Sequence, residues 1–71
     1  MKETMGCLIR RQRLQNGLTK KKLSELTELS RSYITELEED KYSNPSIRVL
    51  CLLCRYFKCT PNDLIPKYYY Q

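Results

Sequence analysis

The residues of this 71-residue chain whose types and spacing could do chemistry fall into two groups, four cysteines and a run of cations. Cys51, Cys54 and Cys59 lie in CLLCRYFKC, which contains a C-x-x-C, and Cys7 stands far off near the N-terminus. Two disulfides, or a zinc or iron–sulfur site, are the chemistries such cysteines can carry. A metal site would have to recruit the distant Cys7 as its fourth ligand, because the chain has no histidine. The spacing favours a plainer role. Cys51 and Cys54 fall in the series Ile47, Leu50, Cys51, Cys54 and Phe57, with offsets of 3, 4, 7 and 10. Those offsets mark the buried stripe of a helix, where a reduced thiol packs as a small apolar group. Buried thiols, with no metal and no cofactor, are therefore expected.

The cations are unevenly spread. Residues 1–31 hold Lys2, Arg10, Arg11, Arg13, Lys20, Lys21, Lys22 and Arg31 against Glu3, Glu25 and Glu28, so the whole formal net charge of +5 lies there. The remainder balances, five against five. Such asymmetry in so short a chain points to an anionic partner met by one face, with a merely solvated basic face as the alternative. Enzymatic chemistry finds no support: there is no histidine, no glycine-rich phosphate loop, and no pair of acids that the pattern directs into a pocket.

The segment from Met5 to Gln15 carries apolar residues at Met5, Leu8, Ile9 and Leu14, and ends at QNGL, where Gly17 suits a left-handed cap. Thr19 can cap a second helix to about Thr27, with Leu23 and Leu26 inward, and Ser30 a third, with Tyr33 or Ile34 and then Leu37 inward. After the KYSNP loop, Ser46 caps the longest and most apolar helix, from about Ile47 to Lys58. TPNDL combines a Thr cap, Pro at the first helical position and an acid three residues after the cap, a start signal for a short fifth helix. Strand-like alternation, repeats and linkers are absent. The expected class is all-α, with five helices in one domain spanning residues 1–71.

The second helix opens on Lys20, Lys21 and Lys22, the wrong sign for the positive end of a helix dipole, where acids are favoured by about 0.3–1 kcal/mol per charge. From Lys20 onward, apolar or small residues fall at Leu23, Ser24, Thr27, Leu29, Ile34 and Leu37. Two helices crossing at roughly 90–120° through a short turn need such a pattern. Ser24 is small where they cross, and Leu29 and Ile34 pin the angle.

In these features the chain resembles the lambda-repressor and Cro-like, or XRE-type, helix-turn-helix family. The resemblance runs over about residues 7–65, through IRRQRLQNGLT, LSELTELSRSYITELEEDK, NPSIRVLCLLCRYF and CTPNDLI in order, with 66–71 as a tail. It implies a compact five-helix domain whose third helix enters the major groove while the second crosses the DNA backbone. Carried over residue by residue, the base-reading positions fall on Arg31, Ser32 and Glu36, flanked by Tyr33 and Thr35. Arg31 can make a bidentate contact to guanine, Ser32 can bond to several bases, and Glu36 either accepts from a cytosine amino group or sits at the groove edge and repels phosphate. Tyr33 is either a packing ring or a phosphate or thymine-methyl contact.

Phosphate contacts are implied for Thr19, Lys20, Lys21 and Lys22, where a bound phosphate would meet backbone N–H groups, the dipole and the ammonium groups together. Lys41 and Arg48, flanking the loop before the fourth helix, match positions that often touch the same backbone strand. The resemblance also pairs Arg13 with Glu38 in a structural ion pair. Glu39 and Asp40 are expected to face solvent. Three positions depart from the family's glycine preference: Glu28 in the turn, Asp40 after the third helix and Lys58 after the fourth. Each costs roughly 1 kcal/mol if the backbone there is left-handed, Asp less than the others.

The function implied is a sequence-specific DNA-binding transcriptional regulator, a repressor or controller, acting on a palindromic double-stranded operator as a homodimer. The fifth helix and the tyrosine tail are the candidate dimer surface, a disordered tail being the alternative. Two other functions stay open: a protein-interaction module on the same fold without DNA binding, and a cysteine-based metal or redox sensor. No run approaches the ~20 apolar residues of a membrane span, and MKETMGCLIRRQR lacks the apolar core and cleavage site of a signal peptide. A cytoplasmic location is expected.

Overall fold

The computed structural model describes residues 3–42 and 45–69; Ser43 and Asn44 of the expected loop, and Tyr70 and Gln71 of the tail, lie outside the described residues. Four α-helices, α1 (Met5–Gln15), α2 (Lys20–Thr27), α3 (Arg31–Glu38) and α4 (Ile47–Phe57), are followed by two 3-10 turns, Pro61–Asp63 and Lys67–Tyr69. No strand occurs among the described residues, and no helix there is long and apolar enough to cross a membrane. The TPNDL start signal thus gives a 3-10 turn where an α-helix was expected. Asp63 Oδ2 accepts from the backbone N–H of Thr60 at 2.9 Å. Leu64 turns at once into the core, and Pro66 leaves no room for a second turn.

Each α-helix starts on a hydroxyl cap. Thr4, Thr19, Ser30 and Ser46 accept from the backbone N–H groups of Cys7, Lys22, Tyr33 and Val49, at 3.0–3.2 Å. A cap of this kind contributes about 1 kcal/mol, which matters for helices of only 8 to 11 residues. The helix ends are as regular. Gly17, Glu28, Asp40 and Lys58 all have positive φ, between 56° and 67°, so the chain makes its left-handed turns where the family prefers glycine, with side chains in place at three of them.

One core unites all four helices and the first 3-10 turn's flank: Ile9, Leu23, Ile34, Leu37, Leu50, Leu53, Cys54, Phe57 and Leu64. Two parts of the expected stripes are corrected. On α4 the buried residues are Leu50, Leu53, Cys54 and Phe57, whereas Ile47 is 77% exposed and Cys51 is exposed. The segment IRVLCLLCRYF is apolar on so many sides that more than one i, i+3, i+4 series runs through it, and only the docking partners choose between them. On α2 Leu26 is half-buried, and Thr27 is the inward residue beside Leu23. Its hydroxyl donates to Leu23 O at 2.7 Å and accepts from Leu29 N–H at 3.2 Å, which removes the cost of burying it. Ser24, at the crossing of α2 and α3, donates its hydroxyl to Leu29 O and so ties the turn to the helix before it.

Cysteine burial is likewise mixed. Cys54 is buried and Cys59 half-buried, but Cys7 and Cys51 are exposed, and all four are free thiols.

Candidate nucleic-acid interface

The turn between α2 and α3 sets two helix N-termini on one face. Lys20 and Lys21 come from the first turn of α2, Arg31 and Ser32 from the first turn of α3, and Thr35 and Glu36 from its next turn. These six side chains line one open groove of about 580 Å³. Spacing explains the α3 set: residues at i, i+1, i+4 and i+5 share one side of a helix, and Ile34 and Leu37, fully buried on the opposite side, fix which side faces out.

Within the groove, Lys20 does not extend away from the N-terminus of α2. Its Nζ donates to Thr35 Oγ1 at 3.2 Å, leaving Thr35's own hydroxyl proton free to point outward. Arg31 and Ser32 are exposed, as are Lys21 and Lys22, so the cationic groups at the mouth are solvated and reachable. Thr19 spends its side-chain oxygen on the cap to Lys22. Thr19, Lys22, Lys41 and Arg48 are exposed but lie outside the groove lining, and the latter two flank the connection between α3 and α4.

Tyr33 is half-buried and packs against the core. Its ring meets that of Tyr42 with centroids 5.2 Å apart and planes tilted by 47°. Tyr42 donates its hydroxyl to Glu36 Oε1 at 3.3 Å. Partial loss of solvent, and then the Glu36 carboxylate, push the Tyr42 phenol above its ordinary value. Sequence pattern gives no hint of Tyr42: it follows the end of α3, where helical periodicity no longer applies, and it reaches Glu36 only because the chain reverses at Asp40.

Outside the groove lining, Arg13 and Glu38 join α1 to α3. Arg13 Nε and Nη2 donate to the two carboxylate oxygens of Glu38 at 2.7 and 3.2 Å, and Nη1 donates to Leu18 O at 2.9 Å. The side chains are 9% and 4% exposed. Arg11 instead forms an exposed ion pair with Glu3.

This chain is similar to known proteins in both sequence and structure. The helix-turn-helix family profile matches residues 9–64. The crystal structure of the restriction-modification controller protein C.AhdI from Aeromonas hydrophila superimposes with a TM-score of 0.77 at 28% identity, over 86% of this chain and 91% of that one. The clp gene regulator ClgR from C. glutamicum gives 0.76 at 27% identity, over 84% and 77%. SinR, a master regulator for biofilm formation solved in complex with DNA, gives 0.81 at 24% identity, over 86% and 97%, a likeness of fold. No curated protein sequence matches significantly. With more than half its length covered by the family profile and its α2–turn–α3 unit built as described, the chain belongs to the XRE-type helix-turn-helix family of DNA-binding regulators.

Proposed function

We propose that this protein is a sequence-specific transcriptional regulator, a repressor or controller, that lays α3 in the major groove of an operator. The observation that carries this reading is the shared groove, in which three cations from two helix N-termini surround the polar side chains of α3. Arg31, Ser32 and Glu36 are the base readers, with Thr35 and Tyr33 beside them. Arg31 suits a guanine, and the Thr35 hydroxyl, already accepting from Lys20, is left to donate to a base or phosphate acceptor. Lys20, Lys21, Lys22 and Thr19 at the start of α2, with Lys41 and Arg48 flanking the connection between α3 and α4, hold phosphate and supply the salt-dependent part of the affinity. Similarity to C.AhdI and ClgR, described as a controller protein and a gene regulator, supports the same role here. The active form is a homodimer in the cytoplasm, reading a palindrome whose half-sites lie about 34 Å apart. The protein works without a cofactor and without catalysis.

Selection of bound sequences from random double-stranded DNA tests this reading. The expected result is a palindromic motif with one helical turn between half-sites. Enrichment of no motif, with binding that is insensitive to salt, would remove it in favour of a protein-interaction role.

A further inference from the structure

The groove's one acidic member, Glu36, is held in place from outside the helix. The chain leaves α3 through Asp40, left-handed at φ 61°, and doubles back so that Lys41 N–H donates to Glu36 O at 2.9 Å. One residue further on, Tyr42 donates its hydroxyl to the Glu36 carboxylate. Glu36 is thus gripped at both its main chain and its side chain by two successive residues of one return segment. The segment itself is anchored at both ends of its short course. Asp40 accepts from Thr4 Oγ1 at 2.6 Å and from Gly6 N–H at 3.0 Å, and the Tyr42 ring lies against Tyr33, whose own ring packs on the core.

A free glutamate on a groove wall has three rotatable bonds and, beside DNA, would swing away from phosphate at little cost. The bond from Tyr42 takes up Oε1 and restricts those rotations, leaving Oε2 to accept one further hydrogen. A carboxylate fixed in this manner suits a base amino group, since cytosine N4 presents a donor in the major groove where guanine and thymine present acceptors. Its order is established before binding, so that the complex does not have to immobilise it. We propose that Tyr42 is a positioning residue for base recognition, holding Glu36 so that it reads one amino-bearing base. The inference rests on the DNA-binding reading above and adds to it a residue that does not itself touch a base.

Sequence selection with the full chain and with the Glu36→Gln and Tyr42→Phe variants tests it. Glu36→Gln identifies the base position that Glu36 reads, by a drop of about tenfold in preference there. Tyr42→Phe, which keeps the ring, is expected to weaken preference at that same position by about threefold to tenfold, with preferences elsewhere retained and the melting temperature unchanged. Full preference at that position in Tyr42→Phe overturns the proposal. So does a uniform loss across all positions, which would put the hydroxyl on phosphate. Failure of the unsubstituted protein to select any motif overturns the DNA-binding reading and this inference together. The contact is read without DNA by following Tyr42 in ring-labelled tyrosine NMR: Glu36→Gln removes a neighbouring charge and lowers its titration midpoint, and an unmoved midpoint overturns the contact itself.

Discussion

The backbone N–H of Gly6, inside the first turn of α1, donates to Oδ1 of Asp40, the left-handed residue that closes α3, at 3.0 Å. The two helices touch here backbone to backbone. A methyl group on Gly6 would stand 2.5 Å from Glu38 O and 2.8 Å from both Leu37 O and Asp40 Oδ1. Alanine is the better helix former by about 1 kcal/mol, but the atoms in its way include two main-chain carbonyl oxygens, which cannot swing aside. Gly6→Ala is expected to destabilise by about 1–3 kcal/mol, measured as a shift of the urea midpoint. An increase in stability would show that α1 can slide on α3.

Arg13 to Glu38 should be the costlier joint. Truncating Arg13 leaves the Glu38 carboxylate buried and unpaired and frees Leu18 O as well. Arg13→Ala is expected to cost about 3–5 kcal/mol, enough to unfold a chain of this size at moderate temperature. Circular dichroism on heating checks it.

The three non-glycine left-handed residues should respond to glycine with different signs. Lys58→Gly relieves strain and touches no hydrogen-bonded side chain, but it also removes a cation from the C-terminus of α4, so a gain of no more than about 0.5 kcal/mol is expected. Glu28→Gly should gain more, because it also removes a negative charge from the C-terminus of α2. Asp40→Gly should lose stability: the backbone relief is smaller, since Asp tolerates the left-handed region better than Lys or Glu, and its carboxylate holds Thr4 and Gly6. Denaturant titration of the three variants side by side separates strain from anchoring; equal shifts would contradict the anchoring role.

The thiols divide by access. Cys7 and Cys51 are exposed and should be alkylated quickly at neutral to mildly alkaline pH, with two modifications seen by mass spectrometry. Burial pushes both Cys54 and Cys59 up, Cys59 to about 12, with their sulfurs 3.8 Å apart. These two should react only on unfolding. Because the folded chain holds those protons more tightly than the unfolded chain, their contribution is complete below the ordinary thiol value of 9.0 and is lost as pH climbs towards about 12. Melting of the reduced protein should therefore weaken across that window.

The DNA-binding reading makes a paired prediction for two groove cations. Arg31→Ala should relax preference at one base position by about 1–3 kcal/mol. Lys21→Ala should weaken binding to all sequences alike and reduce the slope of log affinity against log salt by about 1. Electrophoretic or anisotropy titrations at several salt concentrations distinguish them, and an exchange of the two signatures would reassign which residue holds phosphate.

Local chemistry was legible in the sequence. Hydroxyl caps at Thr19, Ser30 and Ser46 announce three helix starts, since a side-chain oxygen at that position satisfies an amide the helix cannot. Gly17 announces an end, and small and apolar residues from Leu23 to Leu37 announce two crossed helices, from which the family follows. Tertiary packing decided what spacing leaves degenerate. Ile47 and Cys51 share a valid helical stripe with Phe57, yet α4 turns Leu53 inward, because a helix apolar on most sides is oriented only by its neighbours. Asp40, read as solvent-facing, is exposed and still bonded to Thr4 and Gly6, residues 36 and 34 positions away. Tyr42 and Glu36 meet for the same reason: chain reversal brings together groups that no periodicity relates. Short-range patterns record the geometry of single helices, whereas contacts across a turn depend on where the whole backbone returns.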